Sequence, residues 1–496
     1  MTKLLVGPLL GLEGDSRYTF CFLTSKDVNS AGVVVDGENV AASAIADTPD
    51  GRFWRAEIDV AVPEGSVGRE ICYQVILGEA PGKDCHNRDS WNFYVPAVSE
   101  DPKIVYASCN GVSKSDLITK MDDPFRLWRE MFDLHQAAPF SILLMGGDQI
   151  YADSIWDKVK DLEKWSVLRK KEQIKRPSNK LLSDQLDRFY SKIYVERWNE
   201  KYMSAMLASV PSLMMWDDHD IFDGWGSYPD DLQKSPVFLE IFKYAKKYFE
   251  LFQMRSSGNA TIISSNQEHY SFSVKFRNYA ILALDNRANR LIEQVMEESQ
   301  WKDIIAELNN INDGHLLIMS AVPVVYRDFS FTETAFDITP WEDGLADDLK
   351  DHWRAKEHQG ERIKLIMNLL RNARKRFDKD NDNKTVILSG DVHVGCLGVI
   401  TDKSQESTIK VHQVVSSGVV HPAPSLIGWL GIKAVTNDDM EVLNEERTIE
   451  TIMLKPVGSG QYIRARNFAT LQRGTDGKIW VNWIAEADEK PEYPIS

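Results

Sequence analysis

Five apolar runs in this 496-residue chain each stop at a cluster of chemistry-bearing polar residues, and that repetition constrains the fold more than any other feature. KIVYAS leads into Cys109-Asn110, and SILLMGG into Asp148-Gln149-Ile150-Tyr151-Ala152-Asp153. PSLMMW leads into Asp217-Asp218-His219-Asp220, YAILAL into Asp285-Asn286-Arg287, and TVILSG into Asp391-Val392-His393. Strands covered on both faces read as continuous apolar runs, and ligands of open α/β sheets bind outside the carboxyl ends of the strands. The runs alternate with helical patterns, so we read a layered α/β domain with one shared site. One cluster alone would be weak, because an Asp after a strand is commonly a helix N-cap or a turn residue. The joint occurrence carries the reading.

Charge narrows the partners. Lys and Arg number 58 against 74 Asp and Glu, a net charge of −16, which argues against broad attraction to nucleic acid or anionic membranes. The surplus acid is either a solvated surface or, in part, carboxylates converging on cations. With 43% hydrophobic and 27% charged residues, the chain is globular rather than disordered. No run reaches the roughly 18 to 20 apolar residues of a membrane span, and no signal peptide is seen, so a cytoplasmic location is expected. The five cysteines are odd in number and scattered, which suggests reduced thiols.

The length predicts two units. Residues 1–98 carry short β-rich runs (RYTFCFLTS, AGVVVDG, EICYQVILG, WNFYVPA) that suggest a small antiparallel sandwich, and 99–496 form the layered domain. Ser235-Pro236 starts a helix whose apolar stripe is Phe238, Ile241, Phe242, Ala245, Phe249 and Phe252. A second stripe is read through Ile363, Ile366, Met367, Leu370 and Ala373. Segment 158–180 has nine Lys/Arg against three Asp/Glu; it is a solvated helical insertion or a basic rim over an anionic substrate site. Near the C-terminus, YIRARNFATLQ and IWVNWIAEA flank RGTDGK as a hairpin.

A dinuclear hydrolytic site needs an anionic ligand bridging two cations about 3.5–4 Å apart, with a position left for water. Only His219 and His393 of the ten histidines sit in the clusters, so the set is too poor in imidazole for an all-His site and favours hard cations. A thiolate or phenolate shifts that preference toward ferric iron or zinc.

GGDQIYAD, MMWDDHDIFDGWGS, LALDNRANR and LSGDVHVG, with ASCNG upstream, resemble the successive motifs of the PhoD-type (alkaline phosphatase D-like) branch of the calcineurin-like metallophosphoesterases. Order and spacing match over roughly residues 100–420. The resemblance implies a four-layer fold, a two-sheet β-sandwich flanked by helices, preceded by a small Ig-like or fibronectin-like domain. It implies hydrolysis of a small-molecule phosphate ester by a hydroxide held between two metals at one sheet edge. Asp148 would be the bridging carboxylate, Tyr151 a phenolate on ferric iron and Cys109 a thiolate ligand, with Gly111 standing where the superfamily has a His. Asp218 would be a second-metal ligand and His219 the group that meets the scissile phosphate and protonates the leaving alkoxide. Asp223 would serve the calcium side, and Asp391 and His393 match the superfamily's G-H-x-H motif with the first His replaced. The ions implied are Fe3+ and Ca2+, with Mg2+, Mn2+ or Zn2+ as alternatives for the second. Arg287 and Arg290 suit a phosphate clamp or pairing with acids, and His421 is a further pocket candidate. Read as residue types alone, Tyr151 is a packed aromatic, Asp153 a helix cap, and Cys109, like Cys396, an inert thiol. A phospholipase-type phosphodiesterase and a non-catalytic protein retaining the fold are the alternatives. Retention of Asp148, His219 and His393 speaks against the latter.

Overall fold

The computed structural model describes residues 3–256, 258–327 and 352–496. Two sheets face each other. In the ten-stranded one, Ile104–Ala107, Ile142–Gly146 and Ser212–Met215 lie side by side in parallel. In the nine-stranded one, Tyr279–Leu284, His315–Ser320, Thr385–Ser389 and Ile409–Val415 do the same. Both faces of these strands are buried, which is why they read as unbroken apolar runs.

Side-chain alternation assigns the layers. Ile281, Ala283, Leu317, Met319, Val386 and Leu388 join the core shared with the first sheet. Their neighbours Leu282, Leu284, Leu316, Ile318 and Ile387 pack instead under helices Glu298–Asn310 and Gln359–Lys379. The C-terminal hairpin forms as expected: Asn467–Arg473 and Ile479–Ala485 pair antiparallel, and Gly474 N donates to Lys478 O at 2.8 Å across the turn.

The β-rich segment 1–98, expected as a separate Ig-like sandwich, divides its strands instead. Leu4–Leu12 lies parallel to Ser212–Met215 and leads Arg17–Thr24, Arg52–Asp59 and Ser43–Asp47 into the ten-stranded sheet. The others form a five-stranded sheet whose Tyr73 and Phe93 pack on Phe20. Tyr73 O–H donates to Ala208 O at 2.5 Å. Residues 4–95 thus contribute two antiparallel sheets packed together at Phe20, Tyr73 and Phe93, the first continuous with the ten-stranded sheet where Gly11 lies beside Ser212.

Helix Pro236–Phe252 forms where its stripe places it, with Ser235 Oγ accepting from Phe238 N at 3.4 Å. On Gln359–Lys379 the buried face runs through Leu365, Ile366, Leu369, Leu370 and Ala373, whereas Ile363 and Met367 are 38% and 40% exposed. The face is rotated because Arg362 and Arg376 are buried in it, their guanidiniums satisfied by Val324 O at 2.8 Å and Gly314 O at 2.7 Å. The basic segment holds short helices, Lys160–Ser166 and Lys170–Lys175, with mostly exposed side chains. Among the described residues, no helix is long and apolar enough to cross a membrane, and all five cysteines are free.

Candidate metal centre

The seven parallel strands end on one side of the sandwich, and the loops that follow them meet there. Four loop residues adopt left-handed backbone: Cys109 (φ 52°), Asp148 (φ 55°), Asp391 (φ 66°) and His393 (φ 53°). Non-glycine residues occupy that region at a cost, and such strain gathers at functional sites. Gly390 is required for a different reason than a turn. A Cβ there would lie 2.3 Å from Ser108 Oγ, so the glycine lets the loops of the two sheets touch.

Asp148 stands at the centre. Its ligand atoms group with those of Cys109 and His393 on one side and with those of Asp218 and His219 on the other, each trio within 4.8 Å. Oδ2 lies 3.5 Å from Cys109 Sγ and accepts from Tyr151 O–H at 3.4 Å. Oδ1 is buried and has no hydrogen-bond partner. Burial, reinforced by Asp217, Asp218 and Asp220, pushes the Asp148 carboxyl well above its usual range, with His219 opposing. Burial and Asp148 likewise raise the Cys109 thiol, and burial, Cys109 and Asp148 raise the Tyr151 phenol. Burial, with His421 and His219, lowers His393. A buried carboxylate oxygen without a donor, beside a thiol, a phenol and an imidazole, fits cations as the missing counter-charge. Cys109, Asp148, Tyr151 and His393 could hold one ion and Asp148 with Asp218 a second, while His219 stands beside that second position with its free nitrogen toward the site.

Tyr151 explains the missing histidine. A Cβ on Gly111 would lie 2.4 Å from Tyr151 Cδ2, so the phenol ring occupies the space beside residue 111. The ring stacks on His219 with centroids 4.2 Å apart, and its hydroxyl is 3.4 Å from His393 Nε2.

The DDHD cluster divides its labour. Asp220 is scaffold: it accepts from Gln149 N (3.0 Å), Ile150 N (3.1 Å), Asp217 N (2.9 Å) and Gln253 Nε2 (2.8 Å), while burial pushes it up to about 7. Asp218 Oδ2 accepts from Gly224 N at 2.7 Å. His219 Nδ1 lies 3.0 Å from both oxygens of Asp153, which fixes the ring and leaves the other nitrogen for the site. Burial alone would lower this imidazole, but Asp153, Asp218 and Asp148 outweigh it and hold it well above its ordinary value.

Arg287, read from the sequence as a phosphate clamp or a partner of acids, is fully buried. Its guanidinium contacts Asp217 Oδ1, Asp218 Oδ1 at 3.3 Å and Trp225 O at 3.1 Å, so it braces the carboxylates from behind. Arg290 is buried near His358. Asp223 and Asp391 are half-buried and fall outside both trios; the Asp223 backbone N donates to Asp153 Oδ1 at 2.8 Å. Asp285 serves its own turn, accepting from Arg287 N and Ala288 N at 3.0 Å.

Sequence reasoning passed over Ser417 and undervalued Asp153 and His421. Asp153 is the partner of His219 rather than only a cap. Ser417 Oγ lies 3.0 Å from Cys109 Sγ and accepts from His393 N at 3.0 Å. His421 stacks on His393 with centroids 3.5 Å apart. A signal existed for the last two: the run VHQVV also stops at a polar cluster, Ser416-Ser417.

Known proteins share this fold. An uncharacterised protein of Saccharomyces cerevisiae is 28% identical over 413 residues, 70% of this chain, and the chain spans 56% of that relative's length. The solved structure of PhoD covers 100% of this chain and 92% of its own, with a TM-score of 0.62 at 12% identity. A purple acid phosphatase from yellow lupin seeds covers 99% and 74%, with a TM-score of 0.52 at 11% identity. The model of the PhoD-related phosphatases matches residues 90–340. The chain belongs to the PhoD-related phosphatase family.

Proposed function

We propose that the protein is a dinuclear metal-dependent phosphatase in which Asp148 is shared by both ions. The observation that carries this reading is the single buried carboxylate common to two ligand clusters, one of its oxygens without a donor. The mixed thiol, phenol, imidazole and carboxylate set of Cys109, Tyr151, His393 and Asp148 suits Fe3+. The Asp218 side, with Asp223 and Asp391 as oxygen donors at the margin, suits Ca2+ or another hard divalent ion. Bound cations supply Lewis acidity and a hydroxide from water at neutral pH.

The chain's own residues do the rest. Asp153 orients His219, whose free ring nitrogen delivers a proton to the leaving alkoxide oxygen. Arg287 holds Asp217 and Asp218 apart from solvent and in register. The stacked rings of Tyr151, His219, His421 and His393 wall the site and exclude water.

Hydrolysis of a phosphomonoester and a phosphodiester, assayed with each candidate metal, tests the proposal. Asp148→Asn should lower turnover at least about 10³-fold with the fold retained. Wild-type protein that hydrolyses neither ester under any metal supplement would sink it.

A further inference from the structure

Strand Ile409–Val415 of the nine-stranded sheet runs out into Ser416-Ser417-Gly418, residues that lie beyond the stretch matched by the model of the PhoD-related phosphatases. This loop packs against Cys109. Gly418 allows the approach: a Cβ there would lie 3.0 Å from Cys109 Cβ and 3.1 Å from Cys109 O. Ser417, fully buried, places its Oγ 3.0 Å from Cys109 Sγ. The same oxygen accepts from His393 N at 3.0 Å. His393 holds a left-handed backbone, φ 53°, and such strain persists only where the surroundings fix it. One hydroxyl thus ties two residues of the same ligand trio.

The loop is anchored from the opposite sheet. Asn467, fully buried at the start of strand Asn467–Arg473, donates from Nδ2 to Ser417 O at 2.8 Å and from its backbone N to Gly418 O at 3.1 Å. Its Oδ1 accepts from Ser416 Oγ at 2.6 Å. The C-terminal hairpin thereby holds Ser417 against the sulfur.

The direction of the Ser417–Cys109 hydrogen bond follows from ligand chemistry. A cysteine binds a metal ion as the thiolate, so the hydrogen in that contact belongs to the serine. Ser108 Oγ, 3.5 Å from the sulfur, has a closer acceptor in Ser416 O at 3.0 Å. On the metal-centre reading above, we infer that Ser417 is a positioning residue that donates a hydrogen bond to the Cys109 thiolate and so sets how much electron density the sulfur gives the ion. Hydrogen bonds to ligand sulfurs are among the levers by which a protein tunes a bound metal.

The test uses Co2+ as the probe, loaded into the chelator-treated full chain. It reads the thiolate-to-cobalt charge-transfer band, identified as the absorption that Cys109→Ser removes. Ser417→Ala takes the donor away and should shift the band to longer wavelength, because a sulfur lone pair without a hydrogen bond lies higher in energy. Ser417→Thr keeps the hydroxyl and should leave the band at its wild-type position; a serine that only filled space would not separate the two variants in this way. An unmoved band in Ser417→Ala, or an equal shift in Ser417→Thr, would overturn the inference and leave the metal-centre reading standing. A cobalt-loaded wild type with no band that depends on Cys109 would sink the assignment of Cys109 as a ligand, and this inference with it.

Discussion

Replacing Gly111 by alanine tests whether Tyr151 occupies the place that a ligand at residue 111 would take. A Cβ there would lie 2.4 Å from Cδ2 and 3.0 Å from Cγ of the ring. Carbon atoms rest at about 3.5–4.0 Å, so the ring must retreat by about 1 Å. It has little room, being stacked between His219 at 4.2 Å and His421 at 5.6 Å. Overpacking of this kind costs about 1–3 kcal/mol. Gly111 is not among the residues with positive φ, so alanine without the clash would instead stabilise by about 0.4–1 kcal/mol through the unfolded chain. The two effects have opposite signs, and a double-mutant cycle separates them. Gly111→Ala should destabilise native protein, yet be neutral or stabilising in a Tyr151→Ala background, a coupling of roughly 1–3 kcal/mol, the clash alone. Urea unfolding of chelator-treated protein measures it without involving metal. Equal penalties in the two backgrounds would refute the steric account of Gly111 and Tyr151.

Three further outcomes are expected. Arg287→Met leaves Asp217 and Asp218 buried without their cation and should cost about 3–5 kcal/mol in urea unfolding; a loss under about 1 kcal/mol would contradict the bracing role. Asp153→Asn should slow an alkyl phosphate about 10- to 100-fold more than 4-nitrophenyl phosphate, because only the poor leaving group needs the proton that His219 delivers, and equal slowing would argue against that role. Burial lowers His135 and His315 to about 4, and their Nδ1 atoms accept from Phe140 N and Lys384 N. The folded state therefore binds fewer protons than the unfolded chain between pH 6.5 and 4, so stability is full above that window and falls with acidification, by about 2 kcal/mol per ring at pH 5. His135→Asn should lose about that much less between pH 8 and 5; identical losses would contradict it.

The strand ends were legible because the physics is local: a strand buried on both faces must be apolar throughout, and its loop is where polar chemistry can begin. The same rule placed Asp148, Asp218, His219 and His393 together. Strand pairing across the chain is not local. Nothing in LLVGPLLGL states that Gly11 will lie beside Ser212, so the continuity of the N-terminal strands with the ten-stranded sheet was not legible. The helix stripe at 363–373 took in Ile363 and Met367, whereas the buried face includes Arg362 and Arg376, whose long stems and hydrogen-bonded heads an apolar pattern does not reveal. For Arg287 residue type left two readings, a phosphate clamp or pairing with acids, and complete burial beside Asp217 and Asp218 favours the second.

The sharing of Asp148 between two ions is the central claim, and elemental analysis of protein purified without chelator tests it most directly. The account predicts two metal ions per chain, iron among them, and at most one weakly held ion after Asp148→Asn. A native stoichiometry of one, or two ions retained undiminished in Asp148→Asn, would contradict it.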